Sequence, residues 1–177
     1  MLHYAILRTE WGYFGLAGTG DAVGRTCLPV PDRQGAERGL LLGLELTADD
    51  LRLDPGFLPN LQERIIAYFE GENVDFSVEP LVLLDHATTF TRKVLNACRA
   101  IPFGQTRTYS ELAKQVGSPG AARAVGGVMA SNPVPLIVPC HRVLRTDGGL
   151  GGFSAPGGTA TKQKMLEHEH ASAASRS

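Results

Sequence analysis

Long apolar runs are missing from this chain, and none approaches the ~18–20 residues a membrane-spanning helix needs. Cysteine is sparse: Cys27, Cys98 and Cys140 are the only three among 177 residues. An odd, small set excludes a disulfide scaffold and leaves room for a free thiol with a chemical use. The N-terminus, Met1-Leu2-His3-Tyr4-Ala5, lacks the basic-then-apolar pattern of a secretory signal. A cytoplasmic or nucleoid-associated location is therefore expected, with no membrane partner. What is present suits a globular chain: 43% hydrophobic and 20% charged residues, which argues against disorder. The length allows one full domain or two small ones, at roughly 100–200 residues each.

Net charge is also nearly absent, at −1, but the total hides a division. Residues 1–90 carry 6 Lys/Arg against 14 Asp/Glu, and residues 91–177 carry 11 against 4. An acidic half joined to a basic half is the footprint expected for a phosphate-backbone ligand on the basic side. Solvated faces that merely differ in sign would give the same numbers.

Leu2–Arg8, Tyr13–Ala17 and Val23–Val30 read as short strands. Gly18 and Gly20 lack the spacing of a dinucleotide fingerprint and read as turns. Apolar residues at 58, 61, 65, 66 and 69 have helical spacing, and Gly71 is a stop. The composition turns basic near 85–89. This suggests an α/β domain over 1–88, a mostly helical domain over 89–170, and a small polar tail over 171–177 that should be disordered. Thr89–Ala100 should be a helix burying Phe90, Val94 and Cys98, with Ile101 just beyond, so Cys98 reads as a core hydrophobe.

Thr108-Tyr109-Ser110-Glu111 is a capping box for a short helix, Ser110–Val116, ended by Gly117. Ser118 and Pro119 offer a cap and a first-turn proline for a second helix running to about Ala130. Two short helices joined by a Gly-containing turn read as a helix-turn-helix. The second helix is small-sided, and its Gly126-Gly127 pair costs about 1 kcal/mol per residue in helix propensity. Close approach of another backbone would explain the pair, and so would a fit into a groove. Leu136-Ile137-Val138 has the pattern of a short buried strand, and Thr161–Glu169 that of a last helix.

Pro139-Cys140-His141-Arg142 follows that apolar run. A strand end leaving a core would give Cys140 the partial exposure a reactive thiol needs, and His141 is a plausible base. Neighbouring residues of extended backbone point to opposite faces, so a bridging water or a tight turn would have to connect the two.

The ordered set Phe103-Gly104-Gln105-Thr106, Tyr109-Ser110-Glu111-Leu112-Ala113, Arg123-Ala124-Val125-Gly126-Gly127, Asn132-Pro133-Val134-Pro135, Ile137-Val138-Pro139-Cys140-His141-Arg142-Val143 and Gly151-Gly152-Phe153-Ser154, with Lys162 and Glu169, closely resembles the O6-alkylguanine-DNA alkyltransferase family. Motif-level resemblance covers about 89–169; over 1–88 it is architectural, a mixed α/β domain that is ribonuclease-H-like in the family. The resemblance implies a single-turnover repair protein acting as a monomer on duplex DNA. It would flip out O6-alkylguanine, and also O4-alkylthymine, and keep the alkyl group on Cys140. His141 and Glu169 would deprotonate the thiol through a water. Tyr109 would protonate the flipped base, Arg123 would fill the vacated stack, and Asn132 would act as a hinge. Ala122, Ala124 and Gly126 would lie against the DNA. Met129, Pro135, Val143, Phe153, Ser154 and Lys162 would form the base pocket.

No cofactor is implied, because the protein is itself the acceptor. The family's occasional N-terminal zinc finds no paired ligand spacing in Cys27, His3 and His86, so no metal is expected. The loop after Ser154, with Ala155-Pro156, is longer than the family pattern and bears on tolerance for bulky alkyl groups. Other classes fit less well. A cysteine hydrolase would need an oxyanion motif, a damage sensor would need no thiol, and a transcriptional regulator would more often carry a dimerisation helix.

Overall fold

The computed structural model describes residues 1–45 and 47–176. Strands β1 (Leu2–Thr9), β2 (Gly12–Thr19) and β3 (Ala22–Val30) form an antiparallel meander. A short strand that sequence patterning does not reveal, β4 (Leu51–Leu53), adds parallel to β1, giving the order β3-β2-β1-β4. Side chains alternate across the sheet, as the two-residue period of a strand requires. Tyr4 and Ile6 face one layer with Cys27, Ala36 and Leu40, while Ala5 and Leu7 face the main core.

Helix α1 (Arg33–Leu41) covers the first face, and Asp32 caps it by accepting the Gly35 amide at 2.7 Å. It leaves little trace in the sequence because only Ala36 and Leu40 of its nine residues are buried. Helix α2 (Pro59–Phe69) covers the second face with Leu61, Ile65, Tyr68 and Phe69, and Gly71 ends it at φ +98°. A single turn, α3 (Leu83–His86), leads to α4 (Thr89–Arg99), which Thr88 caps and which buries Val94 and Cys98.

The capping box is present. Thr108 accepts the Glu111 amide at 3.1 Å and Glu111 accepts the Thr108 amide at 2.7 Å, an arrangement that stabilises a helix start by about 1 kcal/mol. Helix α5 (Tyr109–Gln115) starts there, one residue earlier than the pattern suggests. The next helix departs from expectation. Gly117 takes φ +80° and the Ala121 amide closes a turn onto the Ser118 carbonyl, so Ser118 and Pro119 belong to the turn. Helix α6 (Ala122–Ala130) begins after it. A Cβ on Gly126 or Gly127 would meet nothing within 4 Å, which excludes close backbone packing as the reason for the pair.

Leu136-Ile137-Val138 is a turn, not a strand. Leu136 sits at φ +77°, and the Val138 amide bonds back to the Val134 carbonyl at 3.0 Å. Three consecutive buried apolar residues cannot distinguish a strand from a buried turn. The chain then makes a 3-10 turn over Cys140–Arg142 and a short strand, β6 (Val143–Leu144), parallel to β5 (Arg107–Thr108).

The final helix, α7 (Gly158–Ala174), overruns the expected polar tail. It is docked, since His168 Nε2 donates to the Tyr68 carbonyl at 2.7 Å and Arg176 to that of Gly71 at 3.0 Å. Lys164 lies over the Trp11 ring at 4.0 Å. Ser177 lies outside the described residues. One continuous core joins the sheet and α2 to α4, α5, α6 and α7 through Leu16, Ile65, Val94, Leu112, Val125 and Met165.

Candidate active site

The tight turn after α6 is built around Asn132. Its side-chain oxygen accepts the Val134 amide at 3.0 Å, and its Nδ2 donates to the Val138 carbonyl at 3.0 Å and to Cys140 Sγ at 3.3 Å. One amide therefore fixes the loop and contacts the thiol. From the sheet, Thr26 grips the same loop, its amide donating to the Pro133 carbonyl at 3.0 Å and its hydroxyl to that of Pro135 at 2.7 Å.

Cys140 is 6% exposed and His141 is fully buried. Burial pushes the Cys140 thiol up, against the pull of the Asn132 amide and the Lys162 charge. Because Cys140–Arg142 is a 3-10 turn, the thiol and the ring are not forced to opposite faces of a strand. The His141 ring donates from Nε2 to Glu169 Oε1 at 2.6 Å, while Nδ1 is buried with no partner in the protein. Burial lowers the imidazole's proton affinity despite the carboxylate, so the ring rests neutral with Nδ1 as an unused acceptor.

Glu169 collects donors. Arg142 Nε reaches both its oxygens at 3.2 and 3.0 Å and Nη2 reaches Oε1 at 2.9 Å. The Tyr68 hydroxyl donates to Oε1 at 2.7 Å and the Gly104 amide to Oε2 at 3.2 Å. Burial opposes the charge, but His141 and Arg142 outweigh it and hold the carboxyl far below its usual range. Lys162, also buried, donates to the Val143 carbonyl at 2.7 Å and lies 5.9 Å from the centre of the Tyr109 ring. Burial, and then the nearby Cys140 and Cys98 thiols, raise the Tyr109 phenol, so it stays protonated as a donor.

Two cavities meet at Phe153 and Ser154. A wide cleft of about 1010 Å³ is lined by Tyr109, Ala122, Arg123, Gly126, Arg145, Gly151, Phe153 and Ser154. A smaller chamber of about 380 Å³ is lined by Cys140, Asn132, Pro135, Phe153, Ser154 and residues of β3 and α1. The expected residues thus fall into two groups. Cys140, His141, Asn132, Glu169, Lys162 and Val143 cluster at the thiol, and Tyr109, Ala122, Arg123 and Gly126 line the cleft. Two sit elsewhere. Met129 is buried in the core and lines neither cavity, and Ala124 lines an apolar groove with Leu83 and Phe90 instead. Positions 122, 126 and 130 share one side of α6, whereas 124 and 128 turn toward α4. Val143 presents its carbonyl to Lys162, with its side chain buried.

Sequence reasoning missed Arg142, Tyr68 and Thr26. Arg142 stood inside the motif and carried a signal, since a buried arginine needs a counter-ion. Tyr68 lies 101 residues from Glu169, and only its place in a core stripe marks it. His3 Nδ1 donates to Asp54 at 3.0 Å, and Cys27 packs beneath α1. Among the described residues no group of three His, Cys, Asp or Glu is arranged to hold a metal, and no helix is long and apolar enough to cross a membrane.

Comparison with known proteins gives concordant matches. Residues 89–171 match the family model described as 6-O-methylguanine DNA methyltransferase, DNA binding domain. A methylated-DNA–protein-cysteine methyltransferase of Mycobacterium bovis is 38% identical over 174 residues, covering 96% of this chain and 93% of that protein. One from Mus musculus is 50% identical over 95 residues, covering 51% of this chain and 44% of its own. The crystal structure of Mycobacterium tuberculosis OGT in complex with DNA superposes with a TM-score of 0.76 at 36% identity, covering 96% of this chain and 94% of that one.

Proposed function

Because the chain belongs to the methylated-DNA–protein-cysteine methyltransferase family, we propose that it repairs O6-alkylguanine in duplex DNA by moving the alkyl group irreversibly onto Cys140. The observation that carries the assignment is the thiol held by Asn132 beside a neutral His141, whose far nitrogen is anchored on Glu169. His141 Nδ1 takes the thiol proton through a bridging water. The thiolate attacks the alkyl carbon in line, the carbon–oxygen bond breaks, and Tyr109 donates a proton to a ring nitrogen as the electron pair returns to the guanine. Arg142 and Tyr68 keep Glu169 ionised while the imidazolium exists. The product is a thioether with no leaving group, so the protein reacts once.

A stacked base is out of reach inside a duplex and must be extruded, at a cost of a few kcal/mol. We read α5 and α6 as a helix-turn-helix that lays the small-sided α6 in the minor groove, with Arg123 filling the vacated stack. The unpacked Gly126 and Gly127 support this, since their open face suits close contact with little base reading. Residues 1–88 are read as a structural domain of ribonuclease-H-like type. Its antiparallel meander with a parallel fourth strand supports that reading. A repair protein built this way acts in any sequence context.

The test is intact mass after mixing with a duplex carrying one O6-methylguanine. One methyl group per protein, mapped to Cys140, is expected. Transfer to Cys27 or Cys98, or none at all, overturns the assignment.

A further inference from the structure

The chamber beside Cys140 is far larger than a methyl group requires. Its volume is about 380 Å³, and six of its fourteen lining residues come from the region that carries none of the chemistry. On one side stand Cys140 and Pro135 of the catalytic loop, with Ala155 and Pro156 of the extended loop; on the other stand Arg25 of β3 and Leu42, the residue that ends α1. In-line displacement puts sulfur, carbon and the departing oxygen on one axis. Any further atoms of the alkyl group must then leave that axis sideways, and the chamber supplies lateral room next to the sulfur.

The charge of the far wall is unusual. Arg25 Nη2 donates to the Leu42 carbonyl at 2.5 Å, and among the described residues no carboxylate stands within ion-pairing distance of its guanidinium. Its positive charge is felt at the Cys27 thiol, which lines the same chamber. A guanidinium bound only to a neutral carbonyl keeps free donors in a fork that matches a carboxylate.

Resting on the alkyl-acceptor reading above, we propose that Arg25 makes this chamber favour alkyl tails ending in a carboxylate over neutral tails of equal length. The bond chemistry is unchanged. The carbon–sulfur bond forms at the first carbon of the tail, the carbon–oxygen bond breaks, and the departing guanine takes up a proton from Tyr109 at a ring nitrogen. The tail's carboxylate takes no part beyond binding.

The experiment compares single-turnover rates on duplexes carrying O6-methylguanine, a series of O6-(ω-carboxyalkyl)guanines of increasing length, and the matching O6-n-alkylguanines. Wild-type protein should favour the carboxylate tail by about tenfold at the length that reaches the guanidinium, the scale of one solvent-touched charge-assisted hydrogen bond. Arg25→Gln should erase that preference, Arg25→Glu should reverse it, and both should keep the wild-type rate on O6-methylguanine, which also shows that they fold. Equal wild-type rates for charged and neutral tails at every length overturn the role of Arg25, as does a preference that survives in Arg25→Gln. Slow reaction of all tails beyond methyl overturns the chamber. Failure of wild-type protein on O6-methylguanine falls on the parent assignment instead.

Discussion

The two halves of the molecule divide labour unevenly. Residues 89–176 hold the thiol, the relay and the cleft, and their motifs are dense enough to read directly. Residues 1–88 carry no reacting group, yet Tyr68 donates to the relay carboxylate and Thr26 holds the loop that presents the thiol. On the proposed assignment the first half is a support: Tyr68 and Thr26 bear on the site, while others of its polar contacts, such as the Phe76 and Glu79 carbonyls accepting from Arg99, dock the two halves. The difference teaches that motif density reports where bonds change, and is silent about what keeps those groups in place.

The comparison is broken most completely at the thiol. Cys140→Ala and Cys140→Ser should abolish methyl transfer, measured by mass, while DNA affinity measured by titration stays intact. Cys27→Ser and Cys98→Ser should leave transfer unchanged, with some loss of stability at the core position Cys98. Glu169→Gln comes next. It removes the negative charge that would stabilise a protonated His141 and leaves Arg142 buried without a counter-ion. Single-turnover rates should fall by about 10²- to 10⁴-fold, the range for a lost general-base system. Stability should fall by about 3–5 kcal/mol, as for one partner removed from a buried pair. Chemical denaturation separates the two effects.

Arg123 and Tyr109 test the second half internally. Arg123→Ala should slow reaction on saturating duplex by about 5- to 150-fold, matching about 1–3 kcal/mol of lost support for the flipped base. It should react like wild type with a free alkylguanine base. Tyr109→Phe should slow both. An Arg123→Ala rate equal to wild type on saturating duplex would reduce Arg123 to a phosphate contact.

The first half is probed by smaller effects. Tyr68→Phe and Thr26→Val should each cost about 1 kcal/mol of stability, the usual worth of one hydrogen bond, and slow methyl transfer only several-fold. Losses as large as that of Glu169→Gln would place a reacting role in the support. The gentlest probe is pH. Burial lowers the folded-state proton affinity of His141, and His141 and Arg142 lower that of Glu169. Both groups contribute stability that is present above their unfolded values. It should therefore decline as pH falls below about 6.5 for the histidine, and again below about 4.3 for the carboxylate. A thermal midpoint flat from neutral pH to 4 would contradict this.

Legibility followed the range of the interaction. The Thr108 capping box and the Gly71 stop are local, and the sequence displays them. Helix α6 starts later than its sequence suggests because Ser118-Pro119, a valid cap signal, is used by a tight turn instead. Leu136-Ile137-Val138 looked like a strand because burial, not backbone shape, selects its residues. The polar end of α7 reads as a tail until Tyr68 and Gly71 supply partners from about a hundred residues away. Such pairings leave no periodic trace. At the site, the residues themselves point to the thiol and its neighbouring base, the carboxylate enters through the family resemblance, and their supports come from distant segments.

The bare face of α6 has a kinetic consequence. Apart from Arg123, its exposed positions are alanine and glycine, which have almost no rotamer freedom to lose on contact. If α6 docks on DNA as proposed, touching undamaged duplex orders little and grips little, so attachment depends on diffuse charge and breaks as easily as it forms. A molecule that reacts once must spend its life searching, and a smooth helix lets it slide or hop past intact base pairs quickly. Leucines or lysines on that face would deepen each stop along the way. The expected signature is a diffusion constant along undamaged DNA that drops when Gly127 is replaced by lysine, with the rate at a lesion already engaged unchanged.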